Sequence, residues 1–490
     1  MQHTLLPSYQ FLAQALIADI HAERFGVGAQ LPSVRALALA RGVSVSTAIR
    51  CYRHLEALGY AVARHKSGVY VADWKALHAA RALHNTAPGV ASAEVPTLPL
   101  AYDKLVSLEH RMQQLYALTD LPLSLPLHLA NAAPKWYPCE ALARIAQRVL
   151  RADVLAIGAY PTGTGLPAFK TELQKYMAGF GLDVSASELL VTNGSTEALS
   201  MALRAVTQPG DAVVVESPVY FGLLQALENL GLKAVEIPST ALDGPNLDVL
   251  EYALEHHHGI RAMVAMPNFQ NPLGCAMSDA NKRRLLALVE RHDLALIEDD
   301  VFGDLSHAQE RPQPIKAWDR HGRVIYYGSC SKTLAPAWRV GWVSGGRWHR
   351  RIESLKLSHS LVTPLREQAV LAEFMRAGGL ALHLRSLRER LAATVPLAVE
   401  AIRQHFPRGT QVVSPAGGWW LWIALPQGMD SVALLRLAVG HGIAFTPGAL
   451  FSASGKFSNH LRINTGRPWG RELDQGIRTL GGLAAQLGRG

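Results

Sequence analysis

The stretch Ser329-Cys-Ser-Lys-Thr-Leu-Ala-Pro-Ala-Trp-Arg-Val-Gly-Trp342 decides how the rest of the chain is read. It sets one lysine, Lys332, among small hydroxyl residues just after the apolar run Val324 to Tyr327, with Arg339 further along. A lysine at a strand end among uncharged neighbours loses hydration, which lowers its pKa toward the free amine that attacks an aldehyde. Ser329, Ser331 and Arg339 supply hydroxyl and guanidinium donors suited to a phosphate on the same small molecule. A surface lysine after a strand is the plain alternative, because short motifs match often by chance. The neighbouring stretches decide between the two.

Upstream, short apolar runs alternate with helical stretches. Leu189 to Thr192 precedes Thr196 to Val206, and Ala212 to Val215 precedes Phe221 to Leu230. Ala234 to Ile237 follows, then Ala262 to Met266 with Ser278 to Arg291, Leu294 to Ile297, and Val324 to Tyr327. Fully apolar strands alternating with helices predict an α/β body with a mainly parallel sheet covered on both faces. Functional loops then belong at the C-terminal ends of the strands. Gly194, Ser195 and Thr196 open a helix there, a geometry that suits a phosphate at the helix N-terminus. Tyr220 is an aromatic able to lie over a flat ring, and Asn271 is placed to donate to a ring oxygen. Glu298-Asp-Asp offers a carboxylate that keeps a pyridine nitrogen protonated, so that the ring withdraws electrons. Taken singly, these are a helix cap, a turn and a solvated loop. Together with Lys332 they supply phosphate donors, a ring stacker, an oxygen donor, a nitrogen partner and an amine at five strand ends.

In order and in residue type this body resembles the fold-type-I aminotransferases, over roughly residues 125–490. The resemblance implies pyridoxal 5′-phosphate held as an aldimine on Lys332, with Asp299 as partner of the pyridinium nitrogen. It implies Asn271 beside the ring hydroxyl, Tyr220 stacked on the ring, and Gly194, Ser195, Thr196, Ser329 and Arg339 around the phosphate. Tyr160, in Tyr-Pro-Thr-Gly-Thr-Gly-Leu-Pro, would reach that phosphate across a dimer. His460-Leu-Arg-Ile-Asn-Thr-Gly resembles the strand whose arginine binds a substrate α-carboxylate, which makes Arg462 the clamp; a planar bidentate cation suits that anion. The chain departs from the pattern at Phe302, where these enzymes carry a tyrosine that hydrogen-bonds the ring oxygen, and at Cys330 and Trp338. A phenylalanine keeps the shape but cannot donate.

The first 75 residues have a different character. Phe11, Leu12, Ala15, Leu16 and Ile20 follow helical spacing. Pro32 and Ser33 open a second helix, Val34 to Ala40, closed by Gly42, and Ser44 caps a third that runs to about Leu58. Ala48, Tyr52, Leu55 and Leu58 face inward, while Ser46, Thr47, Arg50, Arg53 and His54 occupy the other face. Tyr60 to Ala72 alternates as two strands around a basic glycine turn. Two helices joined by a tight turn, with polar residues at the start of the second, form a helix-turn-helix, and the hairpin is its wing. Eight Lys/Arg stand against four Asp/Glu in this stretch, so it holds +4 of the chain's +9, a concentration that phosphate binding explains. Leu31-Pro-Ser-Val-Arg-Ala-Leu-Ala through Gly59-Tyr60 and Ser67-Gly68 resembles the winged helix of GntR-type regulators. The resemblance implies DNA contacts from Arg35, Ser44, Ser46, Thr47 and Arg50, with His65, Lys66 and Gly68 in the wing. Val45 stands where many relatives place an arginine.

These readings divide the 490 residues into a winged helix-turn-helix domain (1–75), a linker and connecting helix (76–124) and the cofactor body (125–490). The large subdomain of that body is expected over about 175–355. Asn85 to Pro99, with three prolines, reads as an extended linker, and Asp103 to Leu118 carries apolar residues at helical spacing. Hydrophobic residues make up 49% and charged residues 18%, a globular composition. Cys51, Cys139, Cys275 and Cys330 are far apart, which speaks against a disulfide framework or a metal site and fits a reducing cytoplasm. Met1 to Gln10 lacks a secretory pattern and no apolar run is long enough to span a bilayer, so no membrane partner is expected. The combination of domains resembles the MocR family of bacterial transcriptional regulators. That resemblance implies a head-to-tail homodimer, a double-stranded DNA operator, and an amino-compound or vitamin B6 effector whose aldimine chemistry modulates operator binding. The alternative is an active aminotransferase with an appended DNA-binding domain.

Overall fold

The computed structural model describes residues 12–13, 16–17, 19–20, 24–57, 60–64, 68–72, 104–105, 112, 123–161, 163–308 and 310–488. The chain divides into two units, residues 1–99 and 100–490. The expected linker at Asn85 to Pro99 lies outside the described residues.

In the first unit, α1 (Val34–Arg41) is capped by Ser33, whose hydroxyl accepts from the Ala36 amide at 3.2 Å. Gly42 ends the helix at φ 64°, and its N–H returns to the carbonyls of Ala38 and Leu39. Glycine adopts this left-handed conformation without the Cβ clash that penalises other residues. After this turn α2 (Val45–Ala57) starts with the Ser44 hydroxyl accepting from the Thr47 amide at 3.1 Å. Leu12, Leu16 and Ile20 pack with Leu37, Ala48, Tyr52 and Leu55 in one core. Strands β1 (Ala61–Arg64) and β2 (Gly68–Val71) pair antiparallel, with Arg64 opposite Gly68, and close that core through Ala61 and Val71.

The second unit is built on a nine-stranded sheet. Its main strands are β3 (Leu189–Thr192), β4 (Ala212–Ser217), β5 (Lys233–Thr240), β6 (Ile260–Ala265), β7 (Ala295–Asp299), β8 (Val324–Ser329) and β9 (Gly341–Ser344). From one side they run β5, β4, β6, β7, β8, β9, β3; the first five are mutually parallel, and β9 is antiparallel to β8 and to β3. Most residues of β4, β7 and β8 are apolar and all are buried, as both faces of a covered parallel sheet require. Each large aliphatic side chain so buried contributes about 1.5–3 kcal/mol.

One expectation is corrected at the edge of this sheet. Lys104–Leu105, placed by periodicity in a helix, is a short strand antiparallel to β5, with Lys104 opposite Ala234. An open sheet edge offers backbone hydrogen bonds to an incoming segment, and that tertiary pairing outweighs a local helical pattern. Met112 is helical, and the rest of Asp103 to Leu118 lies outside the described residues.

A second, four-stranded antiparallel sheet joins β10 (Gln411–Val412), β11 (Trp420–Ala424), β12 (Thr446–Pro447) and β13 (His460–Asn464) in the order β10, β11, β13, β12. The helices Gly379–His405, Ser431–Val439 and Arg471–Leu487 contribute to the core beside it. Leu125–Pro126 pairs in parallel with Ile443–Ala444, and the Asn464 amide donates to the Leu127 carbonyl. Residues 123–133 thereby form an arm held against this smaller sheet. Among the described residues no helix is long and apolar enough to cross a membrane.

Candidate functional site

Lys332 follows β8, and its ammonium donates to the Ala130 carbonyl of the arm at 2.9 Å. Burial lowers its pKa to about 8; Arg462 and Arg339 push the same way and Asp299 opposes them. An amine in this range sheds its proton near neutrality far more readily than a surface lysine.

Asp299 ends β7. The parallel register sets it opposite Tyr327 of β8, whose hydroxyl donates to its carboxylate at 2.8 Å, and the Val301 amide adds a second donor at 3.2 Å. Burial raises Asp299 to about 6, against the pull of the Tyr327 hydrogen bond. Asp299, Tyr220, Asn271, Tyr327 and Glu216 line one small cavity at these strand ends. Tyr327 and Glu216 were not singled out from the sequence. A tyrosine inside a buried strand needs a hydrogen-bond partner, so Tyr327 carried a usable signal. Glu216 offered a weaker one at the end of β4; its carboxylate accepts from the Met266 amide at 3.2 Å, and burial pushes it up to about 8.

Arg462 lies mid-strand in β13 and is fully buried. It donates to Asn271 Oδ1 at 2.9 Å, the His128 carbonyl at 3.0 Å and Thr446 Oγ1 at 3.1 Å. Its guanidinium carbon lies 4.0 Å from the centre of the Trp420 ring and 5.1 Å from that of Phe451. All three acceptors are neutral, Nε has no partner, and burial lowers the pKa to about 9. A buried cation without a counter-charge costs several kcal/mol, which an entering carboxylate offsets. The His128 and Ala130 carbonyls are main-chain groups, and nothing in their side chains announces the contacts.

Gly194 stands at φ 77° before α3 (Ser195–Val206). Its positive φ favours glycine, and a Cβ there would fall 2.3 Å from an Arg339 guanidinium nitrogen, so any larger residue would strain the turn and push Arg339 aside. Arg339 Nη1 donates to Ser331 Oγ at 2.6 Å, and the Ser331 amide donates to Ser329 Oγ at 3.1 Å. Arg339 itself adopts φ 53°, an uncommon conformation for a side chain of its size. Ser195 is half-buried and Thr196 exposed at the helix start, while Tyr160 is 77% exposed on the single chain. Phe302 is buried edge-to-face against Trp419 and Trp420, each 5.6 Å away, with Lys332 Nζ 5.7 Å from its ring centre. The structure therefore brings Lys332, Asp299, Asn271 and Arg462 into one connected cluster, with Gly194, Ser329 and Arg339 grouped beside it.

In the first unit Arg35 and Ser44 are exposed, and Thr47, half-buried, shares a 2.8 Å contact between hydroxyls with Ser44. Ser46 and Arg50 lie on α2, but their side chains, like His65 and Lys66, are outside the described residues; Gly68 opens β2. Val45 is 49% exposed.

Residues 129–476 match the family model of aminotransferase class I and II, and residues 8–71 match that of the gntR family of bacterial regulatory proteins. The chain is 33% identical to the uncharacterized HTH-type transcriptional regulator YdcR of Escherichia coli, over 98% of this chain and 99% of that one. It is 29% identical to the probable rhizopine catabolism regulatory protein MocR of Rhizobium meliloti, over 90% and 86% of the two chains. Among solved structures, the α-aminoadipate aminotransferase LysN of Thermus thermophilus, complexed with N-(5′-phosphopyridoxyl)-L-leucine, superposes with a TM-score of 0.71 at 27% identity. That match covers 77% of this chain and 95% of LysN.

Proposed function

The chain belongs to the aminotransferase class I and II family with a GntR-type domain ahead of it, the MocR architecture, and on that premise we propose a DNA-binding transcriptional regulator whose body binds pyridoxal 5′-phosphate and senses an amino compound bearing a carboxylate. One observation carries this reading. A cluster at the strand ends joins an amine of lowered pKa, a carboxylate facing a small cavity, and a buried arginine held only by neutral acceptors.

The residues fit the cofactor. The Gly194 cradle, the N-terminus of α3, Ser329 and Arg339 offer donors for its phosphate. Asp299 is the anion for a ring nitrogen, and Tyr220 and Asn271 line the same cavity. When bound, the cofactor supplies an aldehyde that condenses reversibly with primary amines and a ring that withdraws electrons. Lys332, lowered to about 8, presents a larger neutral fraction near neutral pH than an ordinary lysine. Tyr327 holds Asp299 in orientation and favours its ionised form. Arg462 takes the effector's carboxylate, and because it also holds the His128 carbonyl and Thr446, occupancy there is felt by the arm and by β12. Operator affinity changes only as far as the effector binds the two states of the protein differently. Leu155, Ile157 and Tyr160, at 86%, 75% and 77% exposure, are an apolar surface that supports the head-to-tail homodimer.

The test is a titration with pyridoxal 5′-phosphate followed by visible absorbance, on the wild type and on Lys332→Ala, beside operator retention with and without added amino acids. The wild type is expected to develop a lysine-dependent band and to change its operator affinity when the amino acid is added. A vitamin effector would act without the carboxylate and without Arg462. Rapid multiple turnover between amino donors and keto acids, with no sequence-specific DNA retention, would instead favour the aminotransferase reading, which the presence of Lys332, Asp299 and Arg462 supports.

A further inference from the structure

Beneath the Gly194 turn lies a buried ion pair that the function above does not use. Glu197, in the first turn of α3, accepts from the Asn193 amide at 2.6 Å, Asn193 Nδ2 at 3.1 Å, Lys356 Nζ at 2.8 Å and the Ser360 hydroxyl. The Glu197 and Lys356 side chains are only 8% and 2% exposed. Lys356 comes from the helix His349–His359, and its other donors go to Ser360 at 2.9 Å and Thr363 at 3.0 Å. Thr363 in turn donates to the Val191 carbonyl of β3 at 3.3 Å. With all its protons committed, Lys356 is unable to bind a ligand itself; whatever it does, it does through Glu197 and the turn.

The electrostatics give the pair a purpose. A carboxylate in a first helical turn is favourable in an ordinary protein, because it complements the positive end of the helix dipole. Where that same end has to receive a phosphate, the carboxylate repels the ligand it sits behind, because close like charges are poorly screened where water is scarce. Glu197 nevertheless fixes the Asn193 amide and side chain, and so shapes the turn that carries Gly194. A buried ammonium 2.8 Å from it cancels the charge and leaves the shape.

We infer that Glu197 and Lys356 are positioning residues for anion binding: Glu197 shapes the Asn193–Gly194 turn, and Lys356 neutralises Glu197 so that the turn accepts a phosphate monoester. This rests on the reading of the turn as the site for the cofactor's phosphate. The experiment measures the affinity of the full-length protein for pyridoxal 5′-phosphate by spectral titration, with pyridoxal, which lacks the phosphate, as the second probe. Lys356→Met is expected to weaken pyridoxal 5′-phosphate by about tenfold to a hundredfold and to leave pyridoxal unchanged. Glu197→Gln keeps an acceptor for the Asn193 amide and removes the negative charge, so it binds pyridoxal 5′-phosphate at least as tightly as the wild type. The double variant returns to within about threefold of the wild type, since the opposed charge effects are removed together. A pair that served only as scaffold would weaken binding in both single variants, and equal losses for the two probes would place the effect away from the phosphate; either result overturns the inference. Should Lys356→Met fail to fold, Glu197→Gln and the double variant still separate the two outcomes by sign. Wild-type protein that binds both probes equally would refute the phosphate site itself, a failure of the underlying reading distinct from the other two.

Discussion

The two units present their candidate residues in opposite ways. In the first unit Arg35 and Ser44 stand in solvent on and beside short helices whose core is a small cluster around Leu37, Tyr52 and Leu55. In the second, Asp299 and Arg462 are buried and Lys332 half-buried where the ends of β7 and β8 meet the arm and β13, and each has its pKa displaced by desolvation. The difference fits the two tasks proposed for these units. Reading a phosphate backbone needs cations that stay solvated until they exchange counterions, whereas amine chemistry needs groups stripped of water so that small changes of surroundings shift protonation. Substitutions in the body should therefore act through charge and desolvation, and substitutions in the reader through salt and local stability.

The largest expected effect breaks the buried side. Arg462→Leu removes the cation placed to meet a carboxylate and should cost an amino-acid effector about 3 kcal/mol, over a hundredfold in affinity, while the cofactor's visible band remains. Equilibrium titration checks it, and an unchanged affinity would move the carboxylate site elsewhere. Next comes pH. Because Lys332 is lowered to about 8, its neutral fraction grows with pH below that value and saturates above it. The rate of cofactor attachment should climb about tenfold between pH 6 and 7 and flatten beyond about 8; stopped-flow absorbance reads the profile, and a rise continuing to about 10 would mean an ordinary exposed lysine. On the exposed side, Arg35→Ala should weaken operator binding by about tenfold and reduce the slope of log affinity against log salt by about one. Affinities at several salt concentrations test this, and a salt-independent loss would remove Arg35 from the phosphate backbone. The smallest effect is structural: Ser44→Ala deletes the α2 cap and should destabilise the first unit by about 1 kcal/mol, read as an earlier unfolding of that unit with the body's transition unmoved.

Much of the body was legible because the sequence writes parallel strands as uninterrupted apolar runs, and the rule that functional loops follow strand ends converts each run into a site position. Gly194, Tyr220, Asn271, Asp299 and Lys332 were all nominated this way. The caps Ser33 and Ser44 and the glycine turn at Gly42 were legible for a local reason, since each satisfies backbone groups within a few residues. Lys104–Leu105 was misread because its pairing with β5 spans 128 residues between opposed positions 105 and 233, and local periodicity carries no trace of so distant an edge.

By itself, then, the sequence named the candidate residues and the order in which the strands present them, because residue type and hydrophobic period are local properties. Only the tertiary structure decided what surrounds them. It placed the carbonyls of His128 and Ala130 against Arg462 and Lys332, set Tyr327 beside Asp299 through strand register, and buried the Glu197–Lys356 pair behind the Gly194 turn. Main-chain acceptors, register and burial all arise from segments far apart in the chain, and they set the surroundings that shift the pKa values of the candidate groups the sequence named.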